Sequence, residues 1–150
     1  MGKVIRIGKQ ETLDKYKDEL LKLAMKHVKK NNDFITAEDI LDTFKLGCND
    51  NDRMNCVLEG NGKLIGFMAC SLQYMRRELM IVIEDFYCPN DKVNFKFRDT
   101  VVDKFKEVSG AKRCLFFTIR NPEAWVKFLK RGKPEYKIYG HLLVEDIGGN

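Results

Sequence analysis

Long hydrophobic runs are missing from this 150-residue sequence. The longest, LMIVI at residues 79–83, is far shorter than the roughly 20 apolar residues that span a bilayer. The first ten residues also lack the apolar core of a secretory signal. With 44% hydrophobic and 33% charged residues, the composition is that of a soluble globular protein. We therefore expect a cytoplasmic protein that folds as one domain over residues 1–150.

Metal-binding and disulfide patterns are also missing. The five cysteines are odd in number and form no CxxC pair, and His27 and His141 are the only histidines. A zinc site and a disulfide framework are therefore not expected, and the thiols are predicted to be reduced and mostly buried. His27 falls beside the apolar stripe of a predicted helix, which favours a packed histidine over a catalytic one.

The balance of charge is mildly basic. Lysine and arginine number 27 against 22 aspartates and glutamates, which gives a net charge of +5. This charge permits an anionic ligand. No RNP, helix-turn-helix or zinc signature accompanies it, so binding to nucleic acid is not expected.

Hydrophobic spacing predicts the order β-α-α-β-β-β-α-β-α-β. The first helix is predicted to be capped by Thr12, and the second by a capping box at Thr36. Leu46 and Val108 are placed on the apolar sides of the second and third helices. Strands are predicted at residues 4–7, 56–59, 64–74, 78–87, 113–119 and 136–144, and helices at 13–30, 37–46, 93–108 and 122–131.

This order predicts a mixed sheet. The strands before residue 87 follow one another through short turns and must be antiparallel, whereas the helix at 93–108 is a crossover that makes the strands on either side of it parallel. We predict an α/β (α+β) fold with a mostly antiparallel central sheet of six to seven strands, flanked by about four helices.

The element order and two short stretches resemble the GNAT superfamily of acetyl-CoA-dependent N-acyltransferases. The stretch LIGFM at residues 64–68 looks like a common central-strand pattern of that family. The stretch IRNPEAWVKFLKRG at 119–132 matches a family pattern at Asn121, Ala124, Phe128, Lys130 and Gly132. The resemblance implies a GNAT-like domain that transfers an acetyl group from acetyl-CoA, as donor substrate, to a primary amine.

In that family the strand equivalent to residues 79–87 bulges, and pantetheine pairs with backbone groups that correspond to Phe86, Tyr87 and Cys88. A glycine-rich loop then wraps the pyrophosphate, because small residues let the backbone approach phosphate oxygens. This sequence has no glycine between Gly66 and Gly110. We predict that cationic side chains replace the glycine-rich loop in binding the phosphates, namely those of Lys92, Lys96 and Arg98. Asn121 completes the predicted site.

Glu84 is the predicted catalytic base, because the family often places a glutamate on this strand. Regular alternation would put Glu84 on one face with Val82 and Phe86, and Asp85 on the other face in a structural role. The family's general acid is a tyrosine at the position of Phe128, which has no proton to give. Tyr136, Tyr139 and Cys88 are the candidates to replace it.

Two functions follow from these residues. One is an active N-acetyltransferase, and the other is a catalytically degenerate GNAT-fold protein that serves in binding or structure. Some phage-encoded and virion-associated proteins show such a pattern without the glycine loop, and the Lys- and Asn-rich composition agrees with that origin. Nothing in the sequence identifies the acceptor amine.

Overall fold

The computed structural model describes residues 1–31 and 35–116, together with the helical residues Glu123 and Lys127. The chain divides into two compact units, Met1–Phe116 and Phe117–Asn150. Most of the predicted fourth helix and all of the last strand lie outside the described residues. So do Asn121, Phe128, Tyr136, Tyr139 and His141. The single domain over residues 1–150 stays a prediction.

The described residues follow the predicted order. They contain five strands and three helices, fewer than the six to seven strands and four helices predicted, since the remaining elements fall outside the described part. None of these helices is long and apolar enough to cross a membrane. The elements are β1 (Lys3–Arg6), α1 (Gln10–Asn31), α2 (Ala37–Leu46), β2 (Arg53–Gly60), β3 (Lys63–Met75), β4 (Glu78–Tyr87), α3 (Asn94–Ser109) and β5 (Arg113–Phe116).

The five strands form one mixed sheet in the order β1-β2-β3-β4-β5. The first four are antiparallel, whereas β5 runs parallel to β4, with Met80 opposite Arg113 and Ile83 opposite Phe116. The predicted meander and crossover are therefore confirmed. The β2–β3 turn uses Asn61 and Gly62 at φ of 53° and 73°, as its Asn-Gly sequence predicts.

Helices cover both faces of the sheet. The predicted apolar stripe of α1 is buried with α2 against one face, which includes Phe67 and Ala69. His27 packs there with its ring 5.7 Å from Phe67 and 5.3 Å from Tyr87. The buried side of α3 covers the other face. Its core residues are Phe97, Val101, Val102 and Phe105, packed on residues that include Met68, Ile81 and Ile83.

Helix ends account for the differences from the prediction. The capping box at Thr36 is present, with its hydroxyl accepting from the Asp39 N–H at 3.1 Å. Thr12, in contrast, does not cap α1 but lies inside it, because the helix begins at Gln10. The side-chain amide of Gln10 donates to the Asp14 carboxylate. Leu46 and Val108 are 64% and 59% exposed, because both lie in the last turn of their helices, where the side chain projects past the core.

Gly66 lets β3 approach the end of β4 closely. A Cβ at this position would lie 3.0 Å from the Tyr87 carbonyl oxygen and 3.2 Å from Cys88 Sγ. Both neighbours belong to the last residues of β4 and the residue that follows. The absence of a side chain at Gly66 therefore sets where the chain leaves β4.

We expect Gly66→Ala to lower the free energy of unfolding by about 1–3 kcal/mol, since the added methyl group overpacks a fixed backbone contact. Gly8→Ala is the matched control, because its nearest neighbour is the flexible Arg6 side chain at 3.5 Å. That control should change stability by less than about 1 kcal/mol. Denaturant unfolding measures both, and equal effects would contradict the close approach.

Candidate active site

The strand β4 carries a β-bulge at Glu84. Ala69 lies opposite Asp85 and Cys70 lies opposite Ile83, so that Glu84 is an extra residue without a partner on β3. Such bulges re-aim the side chains that follow them. A bulge on this strand is what the family resemblance implies.

The bulge overturns the predicted alternation. Asp85 stands opposite Ala69 on the face covered by α1 and α2, the same face on which Glu84 reaches Ser71. Phe86 instead turns to the α3 side, where its ring centroid lies 6.1 Å from that of Phe97. The prediction that Asp85 faces away from Glu84, and that Phe86 faces with it, was therefore wrong, because an extra residue shifts the period of two.

Both carboxylate oxygens of Glu84 are hydrogen-bonded. Oε2 accepts from Arg53 Nη1 at 2.8 Å, and Oε1 accepts from Ser71 Oγ at 2.7 Å. Arg53 is on β2 and Ser71 is opposite it on β3. Glu84 thus connects the bulge to the two neighbouring strands through charge-assisted hydrogen bonds.

Asp85 lies in a different environment. It is half-buried, and this burial raises the pKa of its carboxyl group to about 6, with the nearby Glu84 and Asp39 carboxylates acting in the same direction. Within residues 1–31 and 35–116, no hydrogen bond or ion pair reaches its side chain. A carboxyl group that titrates near neutral pH is suited to proton transfer.

The three residues predicted to pair with pantetheine have packed side chains. Phe86 lies between Phe97 and Phe116, and Tyr87 lies against His27. Cys88 is buried, and burial raises the pKa of its thiol. Any contact of these three residues with a ligand would therefore be made by their backbone groups. The pairing of β4 with β5 is described as far as Ile83 and Phe116, the last residue of the described strand.

The loop before α3 presents two of the three predicted cations. Lys92 and Lys96 are exposed at the start of the helix. Arg98 is only 1% exposed: its Nη2 lies 2.8 Å from the Asp99 carboxylate, and its guanidinium stacks 5.2 Å from the Phe95 ring centroid. The structure therefore buries Arg98, whereas the two lysines are at the surface.

Several backbone N–H groups of this loop already donate hydrogen bonds within the loop. The Asn90 carbonyl accepts from the N–H groups of Val93 and Asn94 at 3.1 Å and 3.0 Å, and the Asn90 side chain accepts from the Lys92 N–H at 3.0 Å. The residue before the helix, Val93, provides no side-chain cap. These amides are the groups that a glycine-rich loop would turn toward phosphate.

Solved structures of acetyltransferases match this chain. An aminoglycoside acetyltransferase, AAC(6')-Iy, in complex with a bisubstrate analog matches with a TM-score of 0.68 at 12% identity over 95% of each chain. Another aminoglycoside acetyltransferase, meta-AAC0020 from an uncultured soil metagenomic sample, matches with a TM-score of 0.62 at 17% identity, over 95% of this chain and 96% of that one. A putative acetyl transferase from Pyrococcus furiosus matches with a TM-score of 0.63 at 16% identity, over 97% of this chain and 99% of that one.

The fold is GNAT-like. No protein-family model and no curated protein matches the sequence. At these identities the likeness concerns the fold. In this chain the bulged β4 ends at Tyr87 and α3 begins at Asn94, so the end of the strand and the start of the helix are close in the chain.

Sequence reasoning missed four polar residues near the bulge and the start of α3. Arg53 was assigned to a loop and Ser71 to an unremarkable strand position, and Asp85 was placed on the wrong face. Asn94 is 4% exposed, and no described residue pairs with its Oδ1. The two adjacent acidic residues in EDFY at 84–87 were the available signal for an acidic site. Only the bulge, however, shows that both side chains lie on the same face of the sheet.

We expect Asp85→Asn to raise the free energy of unfolding at pH 7 by about 1–2 kcal/mol, since it removes a half-buried charge. The pKa of Asp85 is higher in the folded state than its ordinary 3.8, so the wild type is most stable below that value and loses stability as pH rises toward about 6. The difference between variant and wild type should therefore shrink toward pH 4.

Chemical denaturation at pH 4, 5, 6 and 7 measures this dependence. Asp42→Asn is the matched control, because Asp42 is exposed and pairs with the exposed Lys45 across one helical turn. It should change stability by less than about 0.5 kcal/mol at each pH. A loss of stability in Asp85→Asn at pH 7 would contradict the desolvation of this carboxylate.

Proposed function

We propose that this chain is an N-acetyltransferase that moves an acetyl group from acetyl-CoA to a primary amine. The observation that carries the proposal is the bulge at Glu84, which puts two carboxylates on one face of the strand next to the parallel β4–β5 pair. The matched AAC(6')-Iy structure is a complex with the bisubstrate analog CoA-S-monomethyl-acetylneamine, and meta-AAC0020 was solved in complex with sisomicin. By analogy, the acceptor here is a small amine.

The donor is proposed to lie along the end of β4. The backbone groups of Phe86, Tyr87 and Cys88 would pair with the pantetheine arm, since their side chains pack into the two cores. The buried Asn94 Oδ1 would accept a hydrogen bond from one of the pantetheine amides. Asn121 remains a proposed contact from outside the described residues.

The phosphates of the donor are proposed to meet side chains rather than backbone. Lys92 and Lys96 are exposed beside the start of α3, where the helix dipole also favours negative charge. Arg98, the third predicted cation, would contribute from the core by its charge and not by direct contact. The family resemblance implies Glu84 as the base, and both oxygens of its carboxylate accept hydrogen bonds, from Arg53 and Ser71.

A second candidate is a GNAT-fold binding or structural protein without catalysis, such as a phage-encoded or virion-associated one. The start of α3 favours it: there is no glycine from 67 to 109, and the Asn90 carbonyl already takes two amide groups. A loop of this kind cannot wrap a pyrophosphate with its backbone in the way the family does.

Acetyl-CoA should stabilise the fold if the first proposal is right. At 100 times the dissociation constant, binding adds about 2.7 kcal/mol to the free energy of unfolding, and the melting temperature should rise by several degrees. Thermal unfolding with and without millimolar acetyl-CoA or CoA measures this shift. An unchanged melting temperature with both would exclude the acetyltransferase and favour the second candidate.

Neutralising the exposed lysines should weaken that binding. We expect the double variant Lys92→Gln, Lys96→Gln to raise the dissociation constant of acetyl-CoA about tenfold at low salt, and less at high salt, because the contacts are ionic. The control is Lys22→Gln, Lys26→Gln, which removes the same charge from an exposed part of α1. Calorimetric titration compares them, and equal affinities would remove the two lysines from the site.

A further inference from the structure

The two adjacent carboxylates of β4 differ in how they are held. Glu84 is fixed from two strands, by Arg53 at 2.8 Å and Ser71 at 2.7 Å, and each of its oxygens is used. Asp85 projects from the same face, and no described residue hydrogen-bonds to its side chain. The residue that the family pattern selects as the base is therefore the one already committed to holding the bulge.

We propose that Asp85, rather than Glu84, is the catalytic residue that accepts the proton of the acceptor amine, and that Glu84 is a positioning residue. The inference rests on the proposed acetyl transfer. Asp85 directly precedes Phe86, where the pantetheine arm is proposed to begin its pairing, and one residue of strand spans about 3.3 Å. Glu78, the remaining acidic residue of β4, lies at the opposite end of the strand, and both oxygens of Glu84 are already hydrogen-bonded.

The bulge gives Asp85 its direction. Without the extra residue, Asp85 and Glu84 would point to opposite faces of the sheet. With it, Asp85 lies opposite Ala69, on the face that α1 and α2 cover, and Glu84 lies beside it. Removing the ties of Glu84 would loosen this arrangement without removing the proton acceptor itself.

The proton transfers balance in the following way. The ammonium group of the acceptor gives one proton to the Asp85 carboxylate, and the free amine attacks the thioester carbonyl carbon. A C–N bond forms and the C–S bond breaks, and the departing thiolate takes the second proton of the amine. Asp85 then releases its proton to water, so that acetyl-CoA and an ammonium ion yield an amide, CoA thiol and one proton.

The charges around Asp85 set the pH at which it works. Burial raises its pKa to about 6, and negative neighbours add to the effect. Such a group is mostly ionised at pH 7 yet still basic enough to take a proton. The charged groups that act on Asp85 from this face include Glu84 on β4 and Asp39 on α2. Other titratable or charged groups of the described elements on the same face are Arg53 and Glu59 on β2, Tyr16, Glu19 and His27 on α1, and Tyr87 on β4.

Kinetics of thiol release from acetyl-CoA test the assignment, with sisomicin and spermidine as acceptor probes and the full chain as enzyme. The wild type should lose rate as pH falls through about 6. Asp85→Asn should lower thiol release at pH 7 by at least about 100-fold and abolish this acid limb. Glu84→Gln, which keeps an acceptor for Arg53, should lower it by less than about tenfold and retain the limb.

Two further measurements separate catalysis from folding. Asp85→Asn should melt at or above the wild-type temperature, and formate should restore part of the thiol release of Asp85→Ala, since a small carboxylate can replace the missing one. Rates for Asp85→Asn within threefold of wild type, loss of the acid limb in Glu84→Gln alone, or no rescue by formate would each overturn the assignment to Asp85.

Failure of the proposed function gives a different result. In that case wild-type protein shows no stabilisation by acetyl-CoA, or no thiol release with either amine, before any variant is compared. Asp85 then has no acetyl transfer to serve, and the assignment falls with the function. An active wild type with an unaffected Asp85→Asn overturns the assignment alone.

Discussion

The bulge at Glu84 is the constraint on which the rest of the site depends. One extra residue in β4 moves Phe86 into the α3 core and turns Asp85 toward α1 and α2. The bulge is kept in place by hydrogen bonds from Arg53 and Ser71, which belong to two different strands. The sheet therefore fixes the direction of the polar side chains through contacts that are distant in sequence.

The same contacts distribute charge unevenly between the two acids. Arg53 compensates the carboxylate of Glu84, so the cost of burying a negative charge falls mainly on Asp85. Asp39, at the start of α2, adds a further negative charge from the opposite side of the layer. One cation that pairs with Glu84 and not with Asp85 thus leaves two adjacent carboxyl groups in different environments.

Local patterns predicted the fold well and the site poorly. The apolar stripe of α1, the Asn-Gly turn and the crossover at 93–108 are properties of short segments, and the structure confirms them. The bulge has no such local signal, because LMIVIEDFY follows the pattern of one regular strand and contains no glycine; only the family resemblance implied a bulge on this strand. Its existence depends on the register with β3, which only long-range pairing decides. The same holds for Arg76 and Arg77, which adopt positive φ in the β3–β4 turn without the usual Asn or Gly.

The two ends of the proposed site differ in how they are built. At the bulge, the polar groups are held by strands and their geometry is fixed. At the start of α3, the Asn90 carbonyl takes amides that would otherwise face an anion, and the available charges are on the long, exposed side chains of Lys92 and Lys96. Ammonium groups on flexible stems attract phosphate with little geometric selection, and salt screens that attraction. In the proposed function, attraction of the donor's phosphates and proton transfer from the acceptor would therefore depend on separate groups, so a change at one end need not disturb the other.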